Sequence, residues 1–370
     1  MTRQLDPRAR LRTPARLVPI LAVAVSVSGS CTEPESGETA LRLVPVASSG
    51  SPLSEGESIA LVTEVVACVI DSYEVRIHCT GKDDVQIGVF GRSGEGPGEF
   101  ETPFFLIRGP DETVGVIDWG LMRISVFTPT GRLMSDRFLA DLFTPSGPFG
   151  TSLVGTVMDL AGMQWRHVEL DLASDEVLWE RVFPRDLADE AGCESSSFRG
   201  LAFGVVSPGG QMVFSACDGH LLHYASRDHS GGQVIRAPTY TLELPNERDI
   251  QYVEELRRNA AQRGEFVPPP PSRDTPKAYS RHLWFDGQDR LWVLTNRDRD
   301  EWSYLDIYDR DGQYAGTVRI RDRAHGFDVL GSTLAVLVER QAGPDDADGV
   351  PDRAIDWYDI SGVDLGLRAP

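Results

Sequence analysis

The chain has 370 residues, with 36 Lys and Arg against 56 Asp and Glu and a formal net charge of −20. So acidic a balance excludes nucleic acid and anionic lipid as partners held by charge, and leaves cations, sugars and proteins. The 36 Gly and 24 Pro, with no long helical pattern, point to many short strands and turns, and an all-β body of this length runs as one domain.

Residues 1–30 read as an export signal. Arg3, Arg8, Arg10, Arg12 and Arg16 precede the apolar run Leu17 to Val27, which is too short to span a bilayer. Next come Ser28, Gly29, Ser30 and Cys31, and small residues directly before a Cys resemble a lipobox. The resemblance implies that Cys31 is diacylated and becomes the mature N-terminus, so that the membrane is reached only through a lipid anchor at the cell envelope. Ser28 departs from the pattern, which usually has Leu or another apolar residue there; ordinary cleavage and secretion is the alternative. Residues 31–58, rich in Ser, Glu, Gly and Pro, are expected to hold a tether and a first strand.

Beyond Cys31 the cysteines are Cys68, Cys79, Cys193 and Cys217. An even number in an exported chain suggests disulfides. Cys68 and Cys79 flank an Asp71-Ser72-Tyr73 turn that places them opposite each other in a hairpin; the remaining pair is Cys193 with Cys217. Zinc is disfavoured, because no C-x-x-C spacing occurs and His78 is the only histidine near the first pair.

The stretch Val85 to Pro103 throws a strand into a multiply bent turn containing Gly91, Gly94, Gly96, Pro97 and Gly98. A phosphate-cradling loop needs free amides, a helix N-terminus and usually a Lys followed by Ser or Thr. Here Pro97 removes a donor, Glu95 and Glu99 repel an anion, and Pro103 disfavours an immediate helix. Gly91, Gly94, Gly96, Pro97, Gly98, Glu99 and Phe100 instead resemble the GxGxGPGEF turn of the bacterial six-bladed β-propeller lipoproteins, relatives of NHL-repeat propellers. That resemblance implies a fold and a cell-surface address; most members of the family have no assigned reaction.

Short β-branched runs recur around Val75, Val116, Val157, Val213, Val293 and Val336, spaced by 41, 41, 56, 80 and 43 residues, mostly near the length of a four-stranded propeller blade. Each is followed by a second alternating strand, and several of these reach turns such as Thr128-Pro129-Thr130-Gly131 and Asp309-Arg310-Asp311-Gly312. Six units are countable, which predicts an all-β, six-bladed propeller over 59–370. The long interval carries a helical insertion at about 246–263, before blade five. It is capped by Asn246, has Ile250, Val253, Leu256 and Ala260 on one side, and leads into a Pro-rich stretch. The following LWFDxxxRLWV pattern, Leu283 to Val293, resembles the order found in the same family. The ring is expected to close with Leu41 to Val46 beside Ala354 to Tyr358.

Candidate chemistry is sparse. Asp345, Asp346, Asp348, Gly349 and Asp352 approach a short calcium loop, but lack the usual bidentate Glu and read first as a solvated loop. His220, His223 and His229 cluster in sequence, yet the first two, three apart in a strand, point to opposite faces. No G-x-S-x-G elbow supports a serine hydrolase. Gluconolactonase-like propellers hold calcium on an inner ring of acids and Asn, which here would be Glu64, Asp118, Asp159, Asn296 and Asp328. Trp119 and Trp302 sit at loop positions suited to stacking on a sugar or peptide; the other tryptophans read as core. The expectation is a monomeric, non-catalytic binding or scaffold protein for a protein, peptide or glycan at the cell envelope, with no cofactor. The alternative is a hydrolase or lactonase using a divalent cation in the central channel.

Overall fold

A computed structural model describes residues 40–50, 58–139, 141–159, 164–183, 185–192, 204–216, 219–263, 267, 269–297, 301–340 and 353–363. Residues 1–39, including Cys31, as well as Cys193, Cys217 and the acidic stretch with Asp346, Asp348 and Asp352 lie outside the described residues.

Six antiparallel sheets follow one another along the chain and form a six-bladed β-propeller. Blade one is Ile59–Thr63, Val66–Asp71, Arg76–Gly81 and Gln86–Phe90; blade two is Pro103–Arg108, Val114–Asp118, Arg123–Phe127 and Leu133–Phe138. Blade three is Phe143–Pro145, Ser152–Asp159, Gln164–Asp171 and Val177–Val182; blade four is Gly204–Val206, Met212–Ser215, His220–Tyr224 and Gln233–Arg236. Blade five is Ser280–Phe285, Leu291–Thr295, Trp302–Tyr308 and Tyr314–Arg321; blade six takes Arg323–Leu330, Thr333–Glu339 and Arg353–Asp359 from this end of the chain. The first strands of successive blades touch one another, except that blade four's meets the second strand of blade three, and that of blade six touches that of blade one, so these are the inner strands around the central channel.

Alternating side chains of each sheet bury both faces against neighbouring blades. Ile77, Cys68, Val116 and Phe127 share one such layer between blades one and two, and Leu61, Val69, Leu337 and Trp357 another between blades six and one. Antiparallel pairing brings the start of the first strand, the end of the second and the start of the third to one edge of every blade. The blade-to-blade connections join that same edge, here named the crossover face.

The ring closes differently from the expected single strand Leu41 to Val46. Leu41–Arg42 adds a fifth, parallel strand to the outer edge of blade five, beside Val318 and Arg319, and Leu43 donates to the Arg319 carbonyl at 2.9 Å. Ala47–Ser49 supplies the outer strand of blade six, with Ala47 opposite Trp357. Pro45 explains the split: it has no N–H for a ladder, so the chain passes from one blade to the next around it. A second slip lies in blade one, where the run around Val75 is a turn leading into the third strand, with Val75 itself at φ 55°. The second strand is Val66–Asp71.

The glycine motif is the crossover from blade one to blade two, and it wraps a guanidinium. Arg123, 4 % exposed, donates to the carbonyls of Gly96 at 2.9 Å, Glu95 at 3.3 Å and Glu99, and pairs with Asp136 at 3.3 Å. Glu99 folds back to accept from the Gly96 amide at 2.8 Å and from Arg92, while the Phe100 ring is fully buried below. Gly91 stands at φ +89°, where an added Cβ would lie 2.6 Å from the Phe100 ring, so only glycine fits. The amides of Gly94, Gly96, Glu99 and Phe100 are thus occupied within the loop.

The helix Glu247–Arg263 lies in the connection between blades four and five. Asn246 and Asp249 cap it reciprocally, each side chain accepting the other's amide, at 2.9 and 3.3 Å. Ile250 and Ala260 are buried. Among the described residues no helix is long and apolar enough to cross a membrane.

Candidate functional site

The crossover face holds three groupings, two of them built by departures from regular strand geometry. The inner strands of blades two, five and six carry β-bulges between Pro103 and Phe105, between Ser280 and His282, and between Ala324 and Gly326. Phe104, Arg281 and His325 are therefore the extra residues, each near the end where its strand enters the channel wall. A bulge re-aims one side chain without altering the rest of the ladder.

On blades five and six, an ionic lattice seats the helix. Arg248 pairs with Glu339 at 2.8 Å and Asp249 with Arg323 at 2.6 Å; Lys277 reaches Glu243 at 2.8 Å and Asp249 at 3.7 Å. Glu339 also meets His325 Nε2 at 2.9 Å and Arg353 at 3.5 Å. Burial holds His325 neutral, well below the ordinary histidine range, with its proton on Nε2 facing the carboxylate and no partner at Nδ1. Burial works against the Glu339 charge, but the bonds from His325 and Arg248 and the Arg353 charge outweigh it and keep the carboxyl far below its usual range. Burial opposes Asp249 likewise, and Arg323 and Lys277 leave it lowered. Tyr252 lies under both Arg281 and Arg323, whose guanidinium carbons stand 5.5 and 5.9 Å from its ring.

Beside this lattice, Thr239 to Thr241, Glu243, Lys277 to Tyr279 and Thr295 to Arg297 line a small cleft between blades four and five. Beneath it sits Asp306, fully buried. It accepts from Tyr279 at 2.6 Å, Thr317 at 2.6 Å and Thr239, and pairs with Arg297 at 3.2 Å. Burial lifts its carboxyl above the usual range, although Arg297 and the three hydroxyls oppose the shift. With donors on both oxygens, Asp306 is a fixed acceptor that orders the cleft wall.

The third grouping is aromatic. Phe104, 40 % exposed, lies parallel to Trp119, with centroids 4.2 Å apart and an interplanar angle of 2°. Trp119 is locked by its indole N–H, which donates to the Phe143 carbonyl at 2.8 Å, and by the Phe105 ring at 5.7 Å.

Of the five residues expected to ring a channel cation, the four whose side chains are described do not converge. Asp118 is buried and accepts from the amides of Glu101, Thr102 and Leu121, so it fixes a turn. Glu64, beyond the far end of its inner strand, caps Ser332. Asn296 bonds the carbonyls of Ala278 and Ser280. Asp328 accepts from the Leu61 amide at 2.7 Å and pairs with Arg108 at 3.5 Å across blade one's inner strand, and burial raises its pKa despite Arg108. The Asp159 side chain lies outside the described residues. The three clustered histidines also part: His220 meets Arg236, His223 meets Gln233, and His229 packs on His167 and Tyr224. Trp302 is covered by Arg42 and Arg319, at 5.2 and 4.7 Å. Asp309, Asp311 and Gly312 form the hairpin turn expected of them. Cys68 and Cys79 are directly opposed and disulfide-bonded.

No protein-family model matches this chain, and no curated protein matches it. Among solved structures it resembles a member of the DUF4221 family from Bacteroides vulgatus, at 11 % identity and TM-score 0.49, over 85 % of this chain and 97 % of that one. Virginiamycin B lyase from Staphylococcus aureus matches at 11 % identity and TM-score 0.43, over 85 % and 88 %. Regucalcin from Agrobacterium tumefaciens, a calcium-binding protein, matches at 12 % and 0.43, over 87 % and 97 %.

Proposed function

We propose that this chain is an exported propeller of the lipoprotein kind, anchored through Cys31. It binds a peptide or glycan at the cell envelope without transforming it, through the crossover face around Phe104 and Trp119. The observation that carries the reading is the stacked Phe104–Trp119 pair. A bulge pushes Phe104 outward while a hydrogen bond and an edge-on ring hold Trp119 still. A rigid, partly exposed aromatic surface offers stacking to a sugar or a side-chain ring at little ordering cost. The ionic lattice on blades five and six supports recognition over proton transfer, because its carboxylates and guanidinium groups are engaged with one another.

Binding of the full chain to arrays of envelope glycans and peptides, followed by calorimetry on the hits, tests this. Phe104→Ala is expected to weaken the best ligand about fivefold, in line with the roughly 1 kcal/mol typical of aromatic stacking. A hit that Phe104→Ala and Trp119→Ala leave within twofold of the parent moves the site elsewhere. Membrane fractionation of Cys31→Ala tests the anchor; a product that partitions like the parent overturns it.

A further inference from the structure

At the crossover edge of blade one, the turn between the second and third strands carries Asp71, Glu74 and His78. One donor atom of each lies within 4.8 Å of the others. Strand register creates the convergence: Asp71 faces Arg76 and Val69 faces His78, so Asp71 and His78 are diagonal neighbours on one face of the hairpin. Glu74 reaches over from the tip. Asp71 is 1 % exposed, and its Oδ1 is aimed by the amides of Tyr73 and Glu74, both at 3.0 Å. The Cys68–Cys79 bridge joins the same two strands one residue beyond His78.

A separate observation points to a ligand. His78 Nε2 is shielded from solvent and meets no hydrogen-bond partner in the protein. A buried polar atom left unpaired costs about 1–3 kcal/mol, and coordination uses that lone pair.

We propose that Asp71, Glu74 and His78 bind a divalent transition cation of the zinc class through two carboxylates and one imidazole. One nitrogen with two oxygens is a borderline donor set that suits zinc or cobalt. Calcium takes six to eight oxygens, and the imidazole offers it nothing. Three protein ligands leave a fourth position for water or for a donor from a bound partner. A tetrahedral shell with bonds of about 2.1 Å spaces its donors by about 3.4 Å, so the cluster contracts slightly on binding. Glu74 supplies the movement, since it is half exposed and its ion pair with Arg76 is long, at 3.9 Å. The site is separate from the aromatic surface and stands whether or not that surface binds a glycan.

The test is calorimetric titration of the EDTA-treated full chain with zinc chloride, together with the visible spectrum of its cobalt form. One saturable site is expected. Glu74→Gln and His78→Gln each weaken it at least tenfold, Arg76→Gln does not, and the cobalt d–d bands vanish in His78→Gln. Glu74 is at the surface, so Glu74→Gln decides the matter if His78→Gln fails to fold. The proposal is overturned by the absence of saturable binding. It is equally overturned by affinity that neither Glu74→Gln nor His78→Gln changes, which assigns the metal to other surface carboxylates.

Discussion

Arg123→Ala tests whether the glycine-rich crossover is a structural clasp. In the parent, this guanidinium gives hydrogen bonds to the carbonyls of Glu95, Gly96 and Glu99 and pairs with Asp136. Each hydrogen bond from a charged donor contributes about 1.5–3 kcal/mol where the acceptor is buried. The Glu95 and Gly96 carbonyls sit in a solvent-facing loop and regain water, so the expected net loss is about 3 kcal/mol, well below the simple sum. For a body the size of Thr39–Pro370, the unfolding entropy is about 0.7 kcal/mol/K, which translates that loss into a Tm drop of about 4 °C. Thermal melts followed by circular dichroism measure it. Limited proteolysis should in parallel show new cleavage within residues 92–101. Arg123→Lys keeps the charge but not the fork and should recover less than half of the loss. A Tm within 1 °C of the parent, with the loop still protected, would refute the clasp and leave the motif without a structural reason.

Three further outcomes are expected. Replacing Cys68 and Cys79 together by Ala opens an 11-residue separation and should cost about 3 kcal/mol by loop entropy, read as a lower urea midpoint. His167 is pushed down to about 3 and His229 to about 4, in each case mainly by burial. The unfolded chain therefore binds more protons between the ordinary histidine pKa of about 6.5 and those values, so stability is full above 6.5 and falls as pH drops toward 4. Urea denaturation at stepped pH should show that slope, and His167→Phe should flatten it. Deleting residues 1–50 removes both N-terminal strands; size-exclusion chromatography and melting should report aggregation or a Tm loss above 10 °C, and a monomer melting like the parent would show that blade six needs no partner strand.

Parts of this architecture were legible because their physics is local. Turns such as Asp309 to Gly312 announce themselves through residues that tolerate positive φ, and strands such as Leu291–Thr295 through their composition and bounding turns. The helix was legible from its apolar spacing and from Asn246. The candidate functional face was not. Phe104, Arg281 and His325 occupy bulges, where the two-residue period that identifies a strand is broken. Nothing local in the sequence ties Arg323 and Glu339 to the helix, yet Asp249 and Arg248, more than 70 positions earlier in the chain, pair with them. Asp118 and Glu64 misled because a carboxylate near a strand end serves a turn as readily as a channel. Metal-ligand spacing is absent around the cysteines, while Asp71, Glu74 and His78 converge through a diagonal register that no linear spacing reveals.

The seam of blade six has a consequence for how the molecule comes into being. Ala47 lies opposite Trp357, so two segments made some 300 residues apart must meet before the wheel is shut. At about 5–20 residues per second, their births are separated by roughly 15–60 s. Over that interval the early ribbon waits without its mate, and the last sheet stays one strand short until nearly the whole chain has been made.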